Sequence, residues 1–343
     1  MTKTSNQSAS AQPETLLWYH GFDWLRTIFI CFVLLMHLNF TQGMSSGVAE
    51  VTVFDLLQFN VLCLAVPGFL LISSYLLVTH CQTWAAYAKK IKGMMALYLF
   101  WVGAWILVTK PTPEMTIGGV AEFFLRGGGW AYYFFAVLVI NSIVTALIHR
   151  CSSKLIWSGF ALSVILSQGV FHAMANQQHA WTRVQTYWWP LCFISIPFVA
   201  ILASRYRSIL AANKRLWGIV VIALVVATFG LAMVEWQFCA EAGLLKMRTF
   251  LPDYLRASLV FGSTLLLLLA LRLNYSPWIV KWISKNSLGI FCLHVFMLGA
   301  VASKVQSKLP NHVVATLVTV VTVIAVCGIA SEVMRRLLKE RII

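Results

Sequence analysis

The sequence predicts an all-α integral membrane protein: a bundle of about ten transmembrane helices with both termini in the cytoplasm. Three observations predict it. Of 343 residues, 60% are hydrophobic and 11% charged, against roughly 45–50% and about 25% in a soluble domain. Apolar runs near the ~20 residues needed to span a bilayer recur along the whole chain. Lysine and arginine gather in alternate connections between those runs, the pattern that sets orientation in membranes.

The expected spans are residues 24–41, 56–78, 93–109, 130–148, 155–172, 187–203, 216–234, 255–272, 287–303 and 313–331. Residues 1–20 are polar, carry only Lys3 as a basic residue, and show no short apolar core followed by a small-residue cleavage site. The first run therefore reads as a retained span and 1–20 as a cytoplasmic tail. The second and third runs flank Lys89, Lys90 and Lys92. The fourth opens on the aromatic stretch Trp130-Ala131-Tyr132-Tyr133-Phe134-Phe135, and the sixth on Trp188 and Trp189. Those two, with Trp181, read as interfacial anchors. The runs at 155–172 and 287–303 are short or polar at one end. Residues 21–334 thus form one membrane domain, and 335–343 a basic cytoplasmic tail.

With the N-terminus inside and Arg26 set apart within the first span, seventeen Lys and Arg fall on the cytoplasmic side and eight on the outer side. The formal net charge of +15 is therefore a property of one membrane face. Its clusters are separated by apolar runs, so the lipid bilayer, and no nucleic acid, is the partner it implies. Eight cysteines occur with no C-x-x-C spacing, so no zinc or redox motif is present. His172 and His179 lack metal-ligand spacing. No metal and no permanently bound cofactor is expected. His20, His149 and His312 read as surface or interface residues.

The first span carries the chemistry. Asp23 lies one turn before Arg26, where the two can pair. Arg26 and His37 are eleven residues apart, close to three helical turns, so they share one face about 16 Å apart along the axis. A guanidinium suits recognition of phosphate or carboxylate. A neutral imidazole can take a proton from a hydroxyl near pH 7. An ionisable residue within a span is a functional candidate by default. From chemistry alone a bland account stands beside this one: Arg26 snorkels to the interface with Asp23 as its structural partner, and His37 ties two helices together.

The pattern Asp23-x-x-Arg26-x10-His37 resembles the first-helix signature of acyltransferase family 3, membrane enzymes that modify sugars and other acceptors. Three more segments agree. Val66-Pro67-Gly68-Phe69-Leu70-Leu71-Ile72-Ser73-Ser74-Tyr75-Leu76 is similar to the family's second-helix pattern, with Ser74 where Gly is usual. Lys89-Lys90-Ile91-Lys92 stands at the family's basic stretch, with Lys for Arg. Asn286-Ser287-Leu288-Gly289-Ile290-Phe291-Cys292-Leu293-His294 is similar to its late S-L-x-I-Y-x-x-H pattern. The family's usual His before the aromatic run at Tyr132 is missing here.

The resemblance implies an O-acyltransferase of surface polysaccharides, similar to the type that O-acetylates enterobacterial common antigen, in a bacterial inner membrane. The donor would be acyl-CoA, with acetyl the expected group, and the acceptor a hydroxyl of a lipid-linked or exported glycan. It makes His37 the catalytic residue, with Arg26 and its partner Asp23 supporting the donor. Lys89, Lys90 and Lys92 would hold the CoA anion, although ordinary positive-inside lysines are an equal account of them. Ser73, Tyr75, Tyr132 and His294 would line the channel or site. Two rival readings stand at this point. A transporter or polysaccharide exporter would use the same intramembrane polar residues as a pathway. A non-catalytic partner of a glycan assembly complex would need neither Arg26 nor His37.

Overall fold

The computed structural model describes residues 19–38, 53–110, 116–128, 132–177, 189–241 and 253–337. Lys3, Trp130, His179, Trp181, Trp188 and the tail from residue 338 lie outside them. The described residues form α1 (His20–His37), α2 (Val53–Asn60), α3 (Ala65–His80), α4 (Trp84–Thr109), α5 (Ile117–Leu125), α6 (Tyr133–Ile148), α7 (Ser153–Gln177), α8 (Ser195–Ala212), α9 (Lys214–Glu241), α10 (Ala257–Ala270), α11 (Trp278–Gln306) and α12 (His312–Leu337). Among them there is no β-strand.

Among the described residues, seven stretches are long and apolar enough to cross a bilayer: Leu56–His80, Trp84–Thr109, Ser153–Met174, Pro190–Ala212, Lys214–Glu241, Trp278–Gln306 and His312–Leu337. The chain is a multi-pass integral membrane protein. Helices α1, α6 and α10 are apolar but shorter, at 18, 16 and 14 residues. The two short runs of the sequence become long helices, α7 with 25 residues and α11 with 29. Their polar ends stay helical, which satisfies the backbone without help from water. Helix α4 likewise starts well before residue 93. Thr83 caps it by accepting from the Ala86 N–H at 3.2 Å, which satisfies one of the orphan donors of the first turn. The lysine cluster therefore lies on the helix and not in a loop before it.

Helix α1 packs among α3, α10 and α11. Phe22, Leu25, Phe29, Ile30, Val33 and Leu34 form its buried stripe, at the three- and four-residue spacing that keeps one face inward. Two glycines set the approach. A Cβ on Gly21 would lie 1.8 Å from the carbonyl oxygen of Ala270, and one on Gly68 2.3 Å from the ring of Phe29. Gly21→Ala must therefore push α1 away from α10. Overpacking of this kind destabilises by about 1–3 kcal/mol, so the detergent-solubilised variant is expected to melt several degrees below wild type. An unchanged melting curve would contradict this packing.

One end of the bundle is basic. His20, the first residue of α1, and Tyr19 just before it meet Ser276 and Arg207 there. Arg205 donates to the carbonyls of His149 and Cys151 at 2.8 and 2.6 Å. The opposite end holds His37. It also holds a buried polar knot: Glu235 accepts from Ser258 N–H at 3.1 Å, from Ser258 Oγ at 2.5 Å and from Gln168 at 3.2 Å. Arg256 donates to Asn60 Oδ1 at 2.9 Å and to the Phe59 carbonyl, and Trp236 also donates to Asn60, at 3.0 Å. Glu235 is 2% exposed and Arg256 1%. Each is hydrogen-bonded, which is the condition for burying charge. The knot binds α2, α7, α9 and α10 together.

Candidate functional site

The site grows from the first turns of α1. Ser276, in the connection before α11, donates its hydroxyl to Asp23 Oδ2 at 3.0 Å and lies 3.0 Å from His20 Nδ1. Thr27 donates to the Val280 carbonyl at 3.1 Å, and Trp24 to that of Tyr275 at 3.1 Å. These bonds fix the rotation of α1 against α11. Arg26 is thereby turned into a cavity of about 690 Å³ enclosed by α1, α3, α4, α6 and α11. That volume falls within the roughly 300–1,000 Å³ of small-molecule sites.

The cavity changes character with depth. Its mouth, at the basic end, carries the exposed side chains of His80, Lys90 and Lys285. Arg26 is half-buried behind them, with Asp23 as the single carboxylate among the described lining residues, and Ser73, Ser284 and Ser287 supply hydroxyls. The excess of cations gives the cleft a positive field, which apolar walls strengthen. Cys81, at the end of α3, also lines it. Burial pushes the Cys81 thiol up, and the Lys90 ammonium pulls in the opposite direction. The deep end is aromatic. Phe69, Phe134, Phe135 and Phe291 close it, with ring centroids 6.2 Å apart for Phe69 and Phe134 and 5.0 Å for Phe134 and Phe291.

Behind that wall stand two histidines. Phe291 touches His294 at 5.6 Å between centroids, and His294 faces His37 at 5.2 Å. His294 is 1% exposed, and its Nδ1 lies 2.5 Å from the Phe291 carbonyl. A carbonyl only accepts, so Nδ1 carries the proton and Nε2 of the neutral ring carries a lone pair. That Nε2 is buried with no hydrogen-bond partner among the described residues. His37, the last residue of α1, is exposed. The pair thus joins a buried acceptor to an imidazole open to the far end of the bundle. With α1 helical throughout, Arg26 and His37 are about 16 Å apart along its axis.

Of the residues expected from the sequence, the structure gathers Asp23, Arg26, Ser73 and Lys90 around the cavity, and sets His37 against His294. Lys89 and Lys92 are exposed and do not line the cavity. Tyr75 is buried against Phe22 and Tyr19, with centroids 5.7 and 6.0 Å away, and also lies outside the cavity. Tyr132 is a bolt: its hydroxyl donates to the Cys292 carbonyl at 2.7 Å, two residues before His294. Ser74 is fully buried, so the usual small residue of that position is replaced without opening space.

Several members were missed. His80 stands seven residues after Ser73, and Leu76 and Leu77 between them also line the cavity, an i, i+3, i+4, i+7 face on α3. Lys285 was counted only as a positive-inside charge, yet Leu288 and Phe291, three and six residues on, point into the same cleft. Helical spacing from Ser73 was the signal available for His80.

A family model described as an acyltransferase domain matches residues 19–331. No curated protein and no solved structure matches the chain.

Proposed function

Because the chain belongs to this acyltransferase family, we propose that it moves an acyl group, with acetyl the expected one, from acyl-CoA to a hydroxyl of a lipid-linked or exported polysaccharide. The chain would cross a bacterial inner membrane ten times with both termini in the cytoplasm, α1, α6 and α10 completing the seven longer spans. The basic end then faces the cytoplasm, where acyl-CoA is available, and His37 faces outward.

One observation carries the reading. A single straight helix places Arg26 in the wall of a cationic cavity and His37 beside His294 at its opposite end. The donor's phosphates would meet Lys90, Lys285 and His80 at the mouth, with Arg26 deeper along the pantetheine arm. The acceptor hydroxyl gives its proton to an imidazole nitrogen of His37 while its oxygen attacks the thioester carbonyl. The new C–O bond forms, the C–S bond breaks, and the CoA thiolate takes up the proton that His37 gives back, leaving free thiol and a neutral imidazole. His294, whose Nδ1 is committed to the Phe291 carbonyl, offers its Nε2 lone pair to steady the imidazolium formed on His37. Hydrogen-bond support of this kind is how a base is held in its working tautomer.

Purified protein in liposomes, given radiolabelled acetyl-CoA on one side and glycan acceptor on the other, tests the proposal. Transfer of label to the acceptor supports it. Acceptor movement that needs no CoA would instead identify a carrier. Mass spectrometry of surface glycans from cells with and without the protein would then name the acceptor by the loss of one acyl mass.

The aromatic wall makes a separate prediction. The thioester must pass Phe134 and Phe291 to reach His37, so their rings limit acyl length. Phe291→Ala is expected to raise the butyryl-to-acetyl transfer ratio by about tenfold, the scale on which removed side-chain volume alters discrimination between methylene homologues. An unchanged ratio in an active variant would exclude Phe291 from the acyl path.

A further inference from the structure

A second cavity lies at the basic end, away from the acyl-transfer cleft. It encloses about 260 Å³ between the last turns of α8, the start of α9 and the segment leaving α10. Arg207, Arg272, Asn274 and Trp217 line it with Leu210 and Leu271, and there is no carboxylate among the described lining residues.

Both guanidiniums are held in place by the protein. Arg272 donates to the Leu210 carbonyl at 2.8 Å and stacks over Trp217 at 5.1 Å. Arg207 donates to the Tyr19 hydroxyl at 2.5 Å and lies over that ring at 5.1 Å. A guanidinium has several N–H donors in a fixed fork, so each of these bonds leaves others directed elsewhere. Two positioned forks and an amide around one small space suit a tetrahedral oxyanion, since Arg binds phosphate bidentately. The remaining wall is apolar, which a fully hydrated anion would not need.

The membrane environment selects the source of that phosphate. Helix α9 begins at the cavity, and none of its most apolar 18-residue window is buried inside the protein. Ile219, Ile222, Val226 and Phe229 are 56–66% exposed, giving a continuous apolar track that descends from the cavity. A molecule with a phosphate at one end and acyl chains at the other fits both features. Basic pockets between membrane helices on the cytoplasmic side are suited to anionic headgroups.

We infer that this cavity binds the phosphate of an anionic glycerophospholipid, with its acyl chains lying along α9. The inference is independent of the acyl-transfer reading and concerns different residues.

Native mass spectrometry of the full-length protein, titrated with phosphatidylglycerol or cardiolipin in detergent, tests it. The wild type is expected to retain lipid. Arg272→Gln, at an exposed position, is expected to weaken retention by about tenfold, the loss of one charge-assisted partner. Asn274→Ala should weaken it in the same direction, giving a readout that does not depend on how Arg272→Gln folds. Lys154→Gln, an exposed cation elsewhere on the basic end, should leave retention unchanged. Equal loss in Lys154→Gln would show diffuse surface attraction and overturn the site, as would retention unaffected by Arg272→Gln and Asn274→Ala. Binding of inorganic phosphate or ADP that depends on Arg272, without lipid retention, would assign the cavity to a soluble phosphoanion and overturn the lipid source.

Discussion

His37→Ala is expected to abolish acyl transfer while leaving folded protein in the membrane. A positioned general base contributes about 10²–10⁴-fold, so label transfer in liposomes should fall at least a hundredfold. The fold should survive, because His37 is the exposed last residue of α1 and lies outside its buried stripe. Donor binding should survive as well, because the cavity that holds the cations lies on the other side of the Phe134 and Phe291 wall. The informative measurement is therefore paired: rate of transfer, and affinity for CoA. Loss of rate with intact affinity places His37 at the chemistry. Full retained activity would remove it from the mechanism.

Arg26→Ala is expected to act on the donor. Arg26 shares its cavity with Lys90 and Lys285, and Asp23, one turn away, is held by Ser276. A hydrogen bond to a charged group contributes about 1.5–3 kcal/mol, and Arg26 is only half-buried, so the lower part of that range applies. The KM for acyl-CoA should rise about tenfold or more, with CoA protecting the variant poorly against thermal unfolding. Arg26→Lys keeps the charge and loses the planar fork, and should fall between the two. An unchanged KM in Arg26→Ala would take Arg26 out of donor binding. The two substitutions separate the ends of α1: one alters affinity for the donor, the other the rate of transfer.

Much of the architecture was legible because membranes impose few options. Apolar length identifies spans from composition alone, and the long helices lie where the apolar runs predicted. Boundaries were less legible. Helix α4 begins at Trp84 because the Thr83 side chain caps it there, and α11 runs through Lys281 and Lys285, polar turns that an apolar window passes over although they remain helical. The α1 face was readable from spacing, since eleven residues return to the same side of a helix. Which lysine of Lys89, Lys90 and Lys92 enters the cavity was not, because that depends on the rotation of α4 against α6. Nor was the His37–His294 encounter, which joins residues 257 positions apart in sequence. Glu235 and Arg256 are buried charges, and only their partners on four helices explain why they can be.

The attachment of α1 also orders events during synthesis. This helix carries Asp23, Arg26 and a histidine at each end, and falls outside the stretches apolar enough to enter a bilayer by composition. Its anchoring bonds reach Tyr275, Ser276 and Val280, more than 250 residues downstream. The ribosome has made most of the chain before those anchors exist. Until then those bonds are missing, and neither the cavity at Arg26 nor the histidine pair is complete, since both need α11. The rotation of α1 is thus fixed late, so a chain terminated before α11 carries the signature helix but no assembled centre.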